Sequence, residues 1–399
     1  MKACGLIVEY NPFHNGHLYH VNEAKETTQA DCMIAVMSGS FLQRGEPAII
    51  DKFHRTKAAL KSGVDLLVEL PYAYAVQSSR YFAKGALLTL DALKTNYVCF
   101  GSESGDIEQF YKGVEQRQAK KELYDETIQS FLQSGLSFPL ASQQAYEAIG
   151  LSELDLFQPN NILGFSYVNT IVEENLPIKA RTIKRKSSHY HDDEIDSSIA
   201  SATSIRKELT NGQLSSKAKN ALPDATVQEL ESYRKKASVW HDWEDYFPLL
   251  HYRITTMTRE ELASIHGVDE GIEGRLISTI NGAHSFADLI EKMKTKRYTY
   301  VRLQRMFTHI LTNTTKVEIA GFFSFASLPY VRLLGMTKRG QEYLNESKKS
   351  RTVPLVSNLN HKQKTLYLDE RALHVYYSVL PVEKRLALRK QEFQLPIIL

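Results

Sequence analysis

The sequence predicts an α/β protein: a doubly wound parallel sheet of about five strands, followed by a helical C-terminal domain. Three observations carry this reading. The first hundred or so residues alternate short apolar runs with helical patterns. The runs are continuously apolar rather than alternating with polar residues, as strands covered on both faces are. This rhythm stops near Ser238, after which helical text with mixed basic and aromatic residues takes over.

The strands read in order as ACGLIVEY from Ala3, DCMIAVMSG from Asp31, VDLLVELP from Val64 and NYVCFGSESG from Asn96. Between them GHLYHVNEAKETT from Gly16, DKFHRTKAALKSG from Asp51 and SSRYFAKGALLTLDALK from Ser78 carry apolar residues at helical spacing. A helical insertion is expected over about 107–174, and LPIKARTIKR from Leu176 reads as the fifth strand. A Ser- and Asp-rich loop then leads into a short helix near Ser204, with Ser201 or Thr203 available as its N-cap. These limits divide the chain into an expected catalytic domain, 1–237, and a C-terminal domain, 238–399.

Composition narrows the classes. The 399 residues are 43% hydrophobic and 24% charged, and no apolar run nears the roughly 20 residues that span a bilayer. Glu9 interrupts the opening apolar stretch before a secretory h-region could form. Cys4, Cys32 and Cys99 each sit in an apolar run, which argues against a disulfide framework or a cysteine metal set and favours a reducing cytoplasm. Neither a membrane nor DNA is expected as a partner. Charge is uneven: from Lys292 to Arg351 there are thirteen Lys or Arg against three Asp or Glu, while the whole chain is only +3.

The first strand ends in YNPFHNGHLY, Tyr10 to Tyr19. Ligands of open parallel sheets bind beyond the strands' carboxyl ends, where helix N-termini offer free amides and partial positive charge. Asn11 and Pro12 turn the chain there, Gly16 lets backbone approach a ligand, and His14 and His17 can both aim at one anion. Imidazole N–H donors on the oxygens of a reacting phosphorus stabilise the charge that builds up during in-line displacement. No G-x-x-x-x-G-K-[ST] is present, so this is not a P-loop. Two other readings stay open: histidines that only cap the helix or fill the core, and zinc held by His14, His17 and His20, or by HYHDDE at His189 to Glu194.

The H-x-G-H turn resembles the signature of the nucleotidyltransferase superfamily, whose domains have a Rossmann-type, HUP-like fold. SATSIR, Ser201 to Arg206, is similar to that superfamily's S-S-T-x-I-R motif with Ala202 in place of the second serine. Thr203, Ser204 and the helix N-terminus remain for outer phosphates, with Arg206 as charge partner. Read together, GLIVEYNPFHNGHLYHV, MSGSFLQRGEPAIIDKFHRTKAAL, GVDLLVELP, FGSESG, PNNILGFSYV and KTKRYTYVRLQRM resemble the bacterial tRNA(Met) cytidine acetate ligase family over nearly the whole chain. The resemblance implies activation of acetate by ATP as acetyl-adenylate, with pyrophosphate released; because oxygen-rich phosphates recruit magnesium with few protein ligands, Mg2+ is expected to escort them. The resemblance also implies acetyl transfer to N4 of the wobble cytidine of elongator tRNA(Met). Composition and spacing show neither acetate nor cytidine.

The resemblance places the ATP site on Ile7, Val8, Glu9, Tyr10, Asn11, Pro12, Phe13, His14, Asn15, Gly16, His17, Leu18, Tyr19 and His20, with Gly101, Asn161 and Arg185. Each of the last three has a physical case beside a plainer one. Gly101 permits close packing of a base or ribose, or is a turn glycine. Asn161 can read a base edge, or cap the helix after Pro159. Arg185 matches phosphate with its forked donors, or belongs to a solvated charged face. Arg44, Lys52 and Arg55 could neutralise a carboxylate or the acceptor RNA.

KMKTKRYTYVRLQRMF reads either as an ordinary amphipathic helix or as an RNA platform. In the second reading Lys294, Lys296, Arg297, Arg302 and Arg305 neutralise phosphates, while Tyr298 and Tyr300 stack on unpaired bases. Two further functions compete with the ligase: a small-molecule adenylyltransferase that leaves AMP on its product, and an RNA-binding protein with a vestigial nucleotide fold.

Overall fold

The computed structural model describes residues 1–151, 154–156, 158–185, 200–210, 214–359 and 364–399. The HYHDDE stretch lies outside them. All five expected strands form: β1 (Ala3–Val8), β2 (Cys32–Ser38), β3 (Leu66–Leu70), β4 (Tyr97–Ser102) and β5 (Lys179–Lys184). They pair in parallel in the order β5-β4-β1-β2-β3. Their continuous apolar character has the expected cause, since every residue of β2 and β3 is buried.

The strand count needs correction, because among the described residues the sheet has eight strands and its last three come from beyond Ser238. β6 (Val331–Met336) pairs antiparallel with β3, and β7 (Leu355–Val356) and β8 (Ile397–Ile398) both pair with β6. The C-terminal portion is therefore not wholly helical. β6 is a short run buried along nearly all its length, and a short buried run has no periodicity to separate strand from helix. Its partner is also remote, with Leu66 opposite Met336.

A buried ionic cluster fastens this added edge. Lys52 Nζ meets Glu69 Oε2 at 2.7 Å and Glu392 Oε1 at 3.0 Å, and Arg332 contacts the same two carboxylates. Two hydrophobic clusters pack the sheet: one runs from Ala3 on β1 to Leu388 near the C-terminus, and the other includes Leu6, Met33 and Leu334. Among its described residues the insertion forms four helices, Ile107–Ala119, Lys121–Gln133, Phe138–Ala148 and Pro159–Glu173. Among the described residues, no helix is long and apolar enough to cross a membrane.

Strand order reverses at β1, with β2 on one side and β4 on the other. A crevice opens beyond the carboxyl ends of β1 and β4, as this topology requires.

Candidate nucleotide site

The turn after β1 enters the crevice. Tyr10 holds φ at 48°, a left-handed conformation uncommon for a residue with a side chain, and the helix Asn15–Thr28 begins four residues after Asn11. His14 is its N-cap, accepting the Gly16 amide on Nδ1 at 3.0 Å, while His17 Nδ1 accepts the His14 amide at 3.2 Å. Two orphan amides of the helix start are thus satisfied by two imidazoles. The same bonds set the tautomers: a neutral ring that accepts on Nδ1 carries its proton on Nε2. Burial, reinforced by Arg185 and Arg206, lowers His14 to about 3, and burial with its histidine neighbours lowers His17 well below the usual range. Both rings are neutral near pH 7, and Nε2–H is the donor each keeps for a ligand.

A cavity of about 1140 Å³ surrounds them. Its wall includes Ile7, Val8, Glu9, Tyr10, Asn11, His14, Gly16, His17, Tyr19 and His20, together with Gly101, Arg185, Thr203 and Arg206. His20 ties the helix to β4, donating Nε2–H to the Cys99 carbonyl at 3.1 Å. Gly101 lies so near Arg185 that a Cβ would stand 3.1 Å from Arg185 Cγ. Arg206 donates to the Asn11 carbonyl at 2.9 Å and faces Glu46 at 3.5 Å, so it braces the histidine turn.

Other expected residues lie elsewhere. Pro12, Phe13, Asn15 and Leu18 do not line the cavity; Phe13 packs on Tyr10, and Asn15 is tied to Asn220 and Ala221. Asn161 is buried, its carbonyl accepting the Glu103 amide at 3.3 Å and its amide donating to Asp155 O at 2.9 Å. The neighbouring Asn160 lines the cavity instead and accepts from Arg185 at 3.0 Å. Ser204 is buried and its amide donates to Ser201 Oγ at 3.1 Å, which makes Ser201 rather than Thr203 the cap of the helix Ala202–Thr210.

Lys52 and Arg55 require correction as ligand groups. Lys52 belongs to the buried ionic cluster, and Arg55 donates to the carbonyls of Glu9 at 2.7 Å, Ser38 at 3.0 Å, Ile50 at 3.2 Å and Gly39. Only Arg44 of that trio lines the cavity. Among the described residues no group of three or more His, Cys, Asp or Glu is arranged to hold a metal ion.

The basic segment divides. Lys294, Lys296, Arg297 and Tyr300 are exposed, and Arg302 and Arg297 approach Glu270 at 3.7 and 3.6 Å. Tyr298 is corrected as a stacking platform: only 4% exposed, it donates its hydroxyl to the Asp269 carbonyl and lies under Arg302. Arg305 turns inward, lines the cavity with Thr299 and Val301, and donates to the Gln77 carbonyl at 2.7 Å. Burial lowers its pKa to about 10, with Arg302 and Arg44 adding to the effect. Gly45 explains this closeness. At φ +83° a Cβ there would stand 2.5 Å from the Arg305 backbone nitrogen, so the loop carrying Gln43 and Arg44 docks directly on the helix Tyr300–Leu311. Sequence spacing carried no sign of that contact, because some 260 residues separate the two segments.

A histidine-capped helix at the switch point of a parallel sheet, with arginines facing it across the crevice, is the site of a nucleotidyl transferase. The HIGH Nucleotidyl Transferase family profile matches residues 1–392. A tRNA(Met) cytidine acetate ligase of Oceanobacillus iheyensis is 51% identical over 100% of both chains, and one from Bacillus subtilis is 47% identical over 99% of this chain and 95% of its own. Crystal structures of Thermotoga maritima TmcAL, 32% identical, superpose over 100% of both chains. The TM-score is 0.92 for the apo form and 0.91 for the form bound with alpha-thio ATP. The chain belongs to the tRNA(Met) cytidine acetate ligase family of HIGH nucleotidyl transferases.

Proposed function

We propose that this protein activates acetate with ATP as acetyl-adenylate and transfers the acetyl group to N4 of the wobble cytidine of elongator tRNA(Met), forming N4-acetylcytidine. The observation that carries the proposal is the reciprocal bonding of His14 and His17, which leaves two neutral Nε2–H donors on rings that line the cavity. An acetate oxygen attacks the α-phosphorus and pyrophosphate leaves in line, while these donors neutralise charge on the phosphoryl oxygens. Thr203, Arg206 and the N-terminus of the helix Ala202–Thr210 receive the outer phosphates. Gly101 and Arg185 flank the nucleotide, and Asn161 acts by holding the Glu103 amide in place.

Magnesium fits this site as an escort of the phosphates. It would be held mainly by the nucleotide's phosphate oxygens and water, with few protein ligands. When bound it neutralises phosphate charge. The second substrate enters from the side of the basic segment, where Lys294, Lys296, Arg297 and Arg302 face the tRNA backbone and Arg305 reaches the reaction chamber.

The test is mass spectrometry of tRNA(Met) nucleosides after incubation with the protein, ATP and acetate. N4-acetylcytidine at the wobble position with free AMP and pyrophosphate is the expected result. AMP retained on a small product would make the protein an adenylyltransferase instead.

A further inference from the structure

Acyl transfer to an exocyclic amine releases a proton, and a group near the reacting nitrogen must take it. Which side chain does so is a question that rests on the proposed function. His14 and His17 are poor acceptors, since Nδ1 of each already accepts a backbone amide and Nε2 carries the proton. His20 spends its Nε2–H on the Cys99 carbonyl, and burial lowers its pKa to about 4. Most carboxylates along the cavity are engaged. Glu46 faces Arg206, Asp125 pairs with Lys121, Glu147 accepts from Gln143 and Gln144, and Asp155 accepts from Gln158.

Glu9 is placed differently. It follows β1 directly, just ahead of the histidine turn, and its side chain lines the cavity. Oε1 is anchored by the Gln43 amide at 2.7 Å and Ser38 Oγ at 3.3 Å, and Oε2 accepts no hydrogen bond among the described residues. Its position along the wall is also defined. Gln43 Nε2 donates to the Gln77 carbonyl at 2.7 Å, and Arg305 of the basic segment donates to that same carbonyl at 2.7 Å. Glu9 is thus linked through Gln43 and the Gln77 carbonyl to the basic segment.

We propose that Glu9 is a catalytic base of the transfer step, receiving an N4 hydrogen of the target cytidine and then its proton. Carboxylates are natural acceptors for the cytosine N4 amine. The N4 lone pair attacks the acetyl carbonyl carbon, the bond from that carbon to the phosphate oxygen breaks, and AMP leaves with the electron pair. The N4 proton passes to Glu9 Oε2 and from there to solvent. The charged and titratable groups facing Glu9 are Arg44 and Glu46 from the loop after β2, Arg55 from the helix Lys52–Leu60, and Tyr167 from the insertion. Burial raises its carboxyl above the ordinary range, the Gln43 amide and the two arginines oppose this, and Glu46 adds to it. Transfer therefore rises with pH as Glu9 ionises.

The experiment supplies prepared acetyl-adenylate and tRNA(Met) to the full-length enzyme, so that activation is bypassed, and follows N4-acetylcytidine in single turnovers across pH. Glu9→Gln keeps an acceptor for the Gln43 amide; thermal melting verifies its fold. The expected result is a loss of about 10²–10⁴-fold with disappearance of the acidic limb of the pH profile. Glu9→Asp should retain that limb at a reduced rate. A Glu9→Gln enzyme that keeps the wild-type acidic limb, at any rate, overturns the assignment. Failure of the wild type itself to acetylate tRNA(Met) from acetyl-adenylate would overturn the proposed function beneath it, a result distinct from failure of Glu9 alone.

Discussion

His14 and His17 stack with ring centroids 3.8 Å apart, and each accepts a backbone amide of the helical turn they share. In the proposed reaction, capping and catalysis are joined in one pair of side chains. The bonds that start the helix also present two Nε2–H donors to the cavity.

Replacing either histidine with alanine should slow acetyl-adenylate formation by about 10²–10³-fold while weakening ATP binding far less, because the lost donor acts on charge that develops in the transition state. His14→Ala should also cost about 0.5–2 kcal/mol of stability through loss of the cap. Acetate-dependent pyrophosphate exchange and urea denaturation measure the two effects separately. Wild-type exchange in either variant would remove the catalytic role.

Acid should destabilise the nucleotide-free protein. Burial lowers His14 to about 3 and His20 to about 4, against an ordinary value of 6.5, so below that value the unfolded chain binds protons that the folded chain refuses. Stability then falls as pH drops from 7 to 5. ATP should oppose the fall, since phosphate favours the charged imidazoles. Melting temperatures across pH, with and without ATP, test this, and a flat nucleotide-free profile would contradict it.

The basic segment should separate by position. Lys294, Lys296, Arg297 and Arg302 changed to alanine should weaken tRNA binding and flatten its log–log salt dependence by about 0.7–0.9 per lost phosphate contact. Acetate activation should survive in that variant. Arg305→Ala should impair both activation and transfer, because Arg305 lines the cavity and holds the Gln77 carbonyl. Tyr300→Ala should weaken tRNA binding with little change in salt slope. Tyr298→Ala should instead lower the melting temperature, its ring being buried. Filter binding across a salt series and pyrophosphate exchange distinguish these outcomes.

Breaking the buried ionic cluster should loosen the C-terminal strands. Glu392→Gln leaves Lys52 and Arg332 with Glu69 as their remaining partner in the cluster, and such uncompensated buried charge costs about 3–5 kcal/mol. Urea denaturation measures the loss. Accelerated amide exchange in β6 and β8 should accompany it, and a change under about 1 kcal/mol would show that the cluster is not what fastens this edge.

Chelation of magnesium should abolish acetyl-adenylate formation, with activity returning on its addition. Stoichiometric zinc found in the purified protein by elemental analysis would contradict the phosphate-escort reading and revive the HYHDDE alternative.

The five parallel strands, their order of appearance and the histidine turn at the end of the first were legible in the sequence. Each rests on local physics: continuous apolar runs for strands buried on both faces, helical spacing between them, and a turn and cap written in adjacent residues. The arginines and lysines looked interchangeable in sequence, because charge alone does not say which way a side chain faces. The folded chain sends Lys52 and Arg55 into the interior, puts Arg305 on the cavity wall while Lys294 stays exposed, and brings Asn160 rather than Asn161 to the cavity. Tertiary structure alone brought β6 to β3 and the Gly45 loop onto the helix Tyr300–Leu311. These contacts join segments hundreds of residues apart, and short buried strands and close backbone approaches leave no periodic signal by which a sequence could announce them.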